Sequence, residues 1–214
     1  MSKTFVEIGA GKGLGNAVAR KFAENGYKVV LMARSEEHLK EYQTDFAKKG
    51  YQVDICPVDA ADQEQLKETL NKIKKQYPDI DTIHYNVGVT VPDNSCTMNE
   101  KLMAERYQVD VLGAYQVMQE FANAEFAEKK GNILITGGGL AMYPMTAYLP
   151  LSMDKAALRA MVIAEHNEWQ EKGLYIGTVT VTNTIGYAEG YEPDTIAEKF
   201  WELFTKRDNV EMVY

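Results

Sequence analysis

The chain has 214 residues, 45% of them apolar, and a formal net charge of −8. That length and composition suit one domain, 1–214, with a sizeable core. The negative charge argues against nonspecific binding to nucleic acid or to an anionic membrane surface. No apolar run approaches the roughly 20 residues that cross a bilayer. Cys56 and Cys96 are far apart and form no metal-type pair. With no signal peptide at the start, a reducing cytoplasm is the expected setting.

Thr4 to Gly15 reads TFVEIGAGKGLG. Phe5, Val6 and Ile8 form a short β-prone run, as a buried parallel strand does. Glycines follow at 9, 11, 13 and 15, and a helical pattern then runs from Leu14 to Glu24. Glycine accepts backbone angles that a Cβ forbids, and it lets a phosphate approach the positive end of the helix. The spacing fits GxxxGxG, through Gly9, Gly13 and Gly15, and fits neither GxGxxG nor the P-loop pattern.

A second strand is expected over 28–34, and a helix capped by Ser35 runs on to Lys49 and stops at Gly50. Strand three covers 52–57, and Asp62 caps a polar helix reaching Tyr77. Strand four covers 81–85, with its turn at Asn86-Val87-Gly88. One long helical region is expected over 99–130, strand five over 131–137, a second long helix over 152–172, and strand six over 175–182. A last helix covers 193–206, and a short strand covers 210–214. Strands and helices alternate from end to end, which predicts an α/β fold: a doubly wound parallel sheet with helices on both faces. Such sheets bind ligands beyond the carboxyl ends of their strands.

The strand ends therefore carry the functional reading. Strand two ends at Ala33-Arg34, where an NAD-binding domain usually has an acid for the ribose 2′-hydroxyl. Arg34 there and Lys12 in the glycine loop instead suit a 2′-phosphate, and so predict NADP. Strand three ends at Val58-Asp59-Ala60.

On these motifs the chain resembles the short-chain dehydrogenase/reductase family over essentially its whole length. Gly9-xxx-Gly13-x-Gly15 matches that family's TGxxxGxG loop, with Ile8 in place of Thr. Asp59 matches its adenine-holding acid, and Tyr85-Asn86-Val87-Gly88 is an incomplete NNAG turn. Ser152-Met153-Asp154-Lys155-Ala156-Ala157-Leu158 matches the stretch around its catalytic lysine. The resemblance implies a Rossmann-type fold that binds NADP through Gly9, Lys12, Gly13, Leu14, Gly15, Arg34, Asp59, Asn86, Gly88 and Lys155. It also implies an oxidoreductase acting on a small carbonyl or alcohol, assembled as a homodimer or homotetramer through its two long helices.

The same alignment shows losses. The family's tyrosine, one helical turn before the lysine, is Leu151 here, and its serine is Gly138. Its asparagine position holds Asp110, which as a carboxylate is expected to lie behind Lys155 and pair with it. Asp110 and Lys155 are thus the candidate catalytic residues that remain. Tyr148 is expected in the loop ahead of a helix that starts at Pro150, and Tyr143 lies in the same loop; either is a possible substitute acid. A non-catalytic dinucleotide-binding protein, a sensor or scaffold, stays open as the alternative. After strand six, Thr182-Asn183-Thr184-Ile185-Gly186 replaces the family's Pro-Gly turn, and few residues remain for a substrate lid. His38, His84 and His166 have no partners at metal spacing.

Overall fold

A computed structural model describes residues 3–214. Strand β1 (Thr4–Ile8) is buried along its whole length. It is followed by α1 (Leu14–Glu24), β2 (Lys28–Ala33), α2 (Glu36–Lys48), β3 (Val53–Pro57), α3 (Gln63–Gln76) and β4 (Ile80–Tyr85). All of these lie within a residue or two of the sequence expectation. The caps are also where polar side chains place them: Ser35 accepts from the His38 N–H, and Asp62 accepts from the Gln65 N–H.

The seven strands pair in the order β3-β2-β1-β4-β5-β6-β7, with β5 (Asn132–Gly138), β6 (Tyr175–Val181) and β7 (Glu211–Val213) completing the sheet. Every pairing is parallel. The chain leaves β1 towards β2 and later returns to its other side with β4. That reversal opens a crevice at the carboxyl ends of β1 and β4.

Alternation along β1 sorts the core into two layers. Phe5 faces one layer with α1, α2 and α8 (Pro193–Lys206). Val6 and Ile8 face the other, with α3, α5 (Gly113–Phe121) and α7 (Leu149–Trp169). In the first layer Phe5 stacks on Phe22 at 4.0 Å between ring centroids, and Trp201 of α8 meets Phe22 edge-on at 5.1 Å.

The expected long helix over 99–130 is in fact broken twice. After α4 (Glu100–Tyr107) the chain widens into a π-helical segment, Gln108–Leu112, before α5. The cause lies on β4: the Tyr85 phenol donates to the Val109 carbonyl, and Gly113 is pressed so closely on that phenol that a Cβ would overlap it. Downstream, Ala122 leaves helical angles, and Asn123 caps the short α6 (Ala124–Glu128) through the Phe126 N–H. Helix α7 also departs from expectation, starting at Leu149 rather than Ser152. Pro150 sits in its first turn, where the missing N–H costs nothing, and Tyr148 takes the cap position. It ends at Trp169 in a 3-10 turn, Gln170–Lys172. Among the described residues no helix is long and apolar enough to cross a membrane.

Candidate active site

The glycine loop follows β1 and rests against the turn after β4. Gly9 has φ +100°, and a Cβ on it would stand 2.7 Å from the Asn86 carbonyl oxygen. A Cβ on Gly15 would stand 2.5 Å from the Gly9 oxygen. Both positions admit only glycine without moving main chain. Gly13 differs: it caps α1 without a side-chain hydrogen bond, and open space lies over it. Leu14, first in α1, is buried beneath. The loop opens through Gly9 and Ala10 on a cleft of about 700 Å³, whose lining does not include Gly13, Leu14 or Gly15.

That cleft runs across the strand ends and is lined by Gly9, Arg34, Asp59, Asn86, Gly88 and Val109, among others. Asp59 is fixed at its wall, donating its N–H to Gln65 Oε1 at 2.7 Å and accepting the Ala61 N–H at 3.0 Å. Arg34 is exposed at the rim beside Ser35 and His38. Lys12 stands apart from this group: it is 78% exposed, outside the cleft lining, with its ammonium 3.8 Å from Glu41.

At the other end lies Lys155, buried, donating from Nζ to the Thr136 carbonyl at 2.7 Å. The same Nζ is 3.7 Å from where a Cβ on Gly88 would stand. Gly138 lies along the lysine stem, with 3.3 Å between a built Cβ and Lys155 Cγ. Leu151 is buried one turn earlier on α7, so no phenol stands there. Asp110 sits in the π-helical segment, fully buried, and accepts the Val89 N–H at 2.9 Å. Its second oxygen has no partner, and it makes no ion pair with Lys155, whose ammonium directs one of its three N–H groups to the Thr136 carbonyl. Asp110 thus couples to the lysine by charge rather than contact. Burial pushes the Asp110 carboxyl up, and Lys155 opposes that. Burial pushes the Lys155 ammonium down, while Asp110 and Asp154 hold it up.

Sequence reasoning gave no role to Asp154, the residue before the lysine. It is 1% exposed and neither of its carboxylate oxygens has a partner. Burial, then the Asp110 charge, pushes it up to about 7. Two buried acids therefore flank one buried ammonium. His84, read in the sequence only as lacking partners at metal spacing, is fully buried, as is Glu7 beside it, and Thr136 is buried next to them. The available signal was an acid inside an apolar strand, Glu7 between Val6 and Ile8, with a histidine in strand four at a matching register. Among the described residues no cluster of side chains suits a metal ion.

A family model described as short chain dehydrogenase matches residues 3–186. The chain is 25% identical over 177 residues to a diacetyl reductase [(S)-acetoin forming] from Staphylococcus epidermidis, covering 82% of this chain and 69% of that protein. It is 24% identical over 182 residues to an NAD-dependent glycerol dehydrogenase from Listeria innocua, covering 84% and 70%. Among solved structures, an alcohol dehydrogenase from the archaeon Thermococcus sibiricus complexed with 5-hydroxy-NADP superposes with a TM-score of 0.86 at 22% identity, covering 100% of this chain and 95% of the other. A metagenomic short-chain oxidoreductase in complex with NADP superposes with a TM-score of 0.88 at 22% identity, covering 100% and 97%. The fold is a Rossmann-type α/β fold, with its cleft at the carboxyl ends of the parallel strands. The chain belongs to the short-chain dehydrogenase family, a family of oxidoreductases.

Proposed function

We propose that the protein binds NADP(H) in the cleft and is an oxidoreductase for a small carbonyl or alcohol, with an altered proton-donating site. The carrying observation is the glycine cradle opening on a cleft whose β2 rim offers Arg34 and no acid. The residues fit the dinucleotide. Gly9 and Gly15 pack where a side chain would collide, and open space over Gly13 leaves room for a diphosphate at the start of α1. Arg34 would hold the 2′-phosphate and Asp59 the adenine. Lys155 would hold the nicotinamide ribose by turning from the Thr136 carbonyl. A bound nicotinamide supplies or accepts the hydride. The chain's own task is to position the substrate and give its oxygen a proton, and Leu151 has none to give.

Calorimetric titration tests the cofactor assignment. NADPH should bind more tightly than NADH, and Arg34→Ala should lower NADPH affinity about 10- to 100-fold while leaving NADH unchanged, since one charge-assisted contact to phosphate is lost. Equal affinities in the wild type would remove Arg34 from that role. Lys12→Ala, by contrast, should change NADPH affinity little.

The second reading, a dinucleotide-binding protein without turnover, rests on the leucine and glycine at positions 151 and 138. Steady-state NADPH oxidation with small aldehydes and ketones separates the two. Homodimer or homotetramer assembly is proposed through α4–α5 and α7, where Tyr107, Leu112, Tyr115 and Met153 leave apolar surface exposed. Light scattering at micromolar concentration should give a multiple of 24.1 kDa; a monomer mass would discard the assembly. The two cysteines are free thiols, in keeping with a reducing compartment.

A further inference from the structure

Beneath the glycine loop, side chains from β1, β4 and β5, and Asn86 from the turn after β4, form one continuous file. Glu7 Oε2 lies 2.7 Å from His84 Nδ1, and His84 Nε2 lies 2.9 Å from Thr136 Oγ1. Thr136 donates its hydroxyl proton to Asn86 Oδ1 at 2.8 Å, and Asn86 Nδ2 donates to the Gly9 carbonyl at 3.2 Å. The Thr136 carbonyl accepts Lys155. We propose that Glu7, His84 and Thr136 are positioning residues for the dinucleotide, with Glu7 held as a neutral carboxylic acid that orders the file leading to Asn86 and Gly9. This rests on the reading of the cleft as a dinucleotide site.

The direction of every bond is forced from the cleft end. The Gly9 carbonyl only accepts, so the Asn86 amide nitrogen faces it and the amide oxygen faces Thr136. Thr136 has one proton and gives it to that oxygen. Towards His84 it must accept, so Nε2 carries a hydrogen. One further proton lies between His84 Nδ1 and Glu7. Placed on Glu7 it leaves two neutral groups; placed on His84 it makes a buried ion pair. Surroundings favour the neutral form. Phe5 and Phe200 pack on the imidazole, with Phe200 at 4.5 Å, and Glu7 Oε1 has no partner at all. An unpartnered carbonyl oxygen of an acid is cheap to bury compared with an unpartnered oxygen of a carboxylate. The charged group facing His84 besides Glu7 is Lys155 of α7, which further disfavours an imidazolium. Burial pushes Glu7 well up and His84 down to about 3, in agreement with the geometry.

Thr136 is the node. Its side chain fixes the turn that carries Asn86, against which Gly9 packs, and its main chain parks the lysine. Thr136→Val keeps shape and the lysine contact while cutting the file. It should lower NADPH affinity about tenfold with the fold intact. Glu7→Leu should lower affinity by a similar factor, and Glu7→Gln, which can still donate to His84 Nδ1, should restore it to within about threefold. In the wild type at pH 7.5, ¹⁵N shifts should report a neutral His84 with hydrogen on Nε2, and infrared spectra should show a carboxylic-acid carbonyl band that Glu7→Gln removes. An imidazolium with no such band would overturn the neutral acid. Wild-type affinity in Thr136→Val would overturn the positioning role. A wild type that binds neither NADPH nor NADH would fail the cofactor reading and, with it, the positioning role, while the His84 shifts and the infrared band would still decide the state of Glu7.

Discussion

Leu151→Tyr combined with Gly138→Ser is expected to raise NADPH-dependent reduction of small aldehydes and ketones by at least about 10²-fold in kcat/KM. A positioned proton donor contributes roughly 10²–10⁴-fold, and an oxyanion-holding hydroxyl roughly 10²–10³-fold. The parent has neither at these two positions. Space for the hydroxyl exists: a built Cβ at 138 meets Lys155 Cγ at 3.3 Å, so the lysine stem needs to give by only a few tenths of an ångström. Leu151 stands one turn before Lys155 on α7, which packs against β6, so a tyrosine there would share the lysine's face. The buried ammonium would also lower the phenol's pKa, as a donor working near neutrality requires. Each single variant should gain less than the pair. Should the parent already reduce carbonyls robustly, and Tyr143→Phe or Tyr148→Phe abolish it, the acid is relocated and the double substitution should add little. Tyr143 is 72% exposed and Tyr148 caps α7, in the segment just ahead of the helix that carries Leu151 and Lys155.

The sheet was legible because its strands are short apolar runs at regular spacing and its helices carry their caps in sequence. Ser35 and Asp62 sit where their side chains reach the third amide of the following helix. The breaks in the helical region after Asn99 were not legible, because their cause is a tertiary contact: a phenol from β4 bonding into the helix and a glycine yielding to it. The start of α7 was misjudged for a related reason. The preference of a pre-proline residue for extended angles is weak, and the first turn of a helix overrides it. At the site, Gly9, Arg34, Asp59, Asn86 and Gly88 all reach one cleft, as the strand-end rule requires. Lys12 could not be placed, since a long exposed side chain in a loop answers to whichever charge is near, here Glu41. The buried acids were invisible for the opposite reason. Sequence periodicity reports which face a residue occupies, and says nothing of whether that face lacks a counter-charge. Glu7 and Asp154 both break the apolar pattern of their elements, and such breaks gather at sites where stability is given up for function.

Asp154 gives the clearest measure of that cost. Its carboxyl titrates near 4 in an unfolded chain and is pushed up to about 7 here. The folded state therefore holds this proton more tightly than the unfolded state. Below about pH 4 both states are protonated and nothing is lost. As pH rises from 4 to 7 the unfolded chain releases its proton first, so stability falls across that window and stays low above it. The full shift is worth at most about 4 kcal/mol, and reorganisation around the carboxylate screens part of it, leaving about 2 kcal/mol. Asp154→Asn should therefore raise the Tm relative to wild type by about 4–8 °C more at pH 8 than at pH 4. An amide buried without partners carries its own cost, but that cost is the same at both pH values, so the difference between the two isolates the carboxyl. Parallel Tm curves for variant and wild type from pH 4 to pH 8 would show that Asp154 is ionised at no penalty. The variant should also pay at the site. Asp154 is one of two charges that hold the Lys155 ammonium up against burial, so its removal should lower the pH at which NADPH affinity falls away on the alkaline side. A more stable protein with a weakened alkaline limb would mean that Asp154 is kept for the charge on Lys155 rather than for the fold.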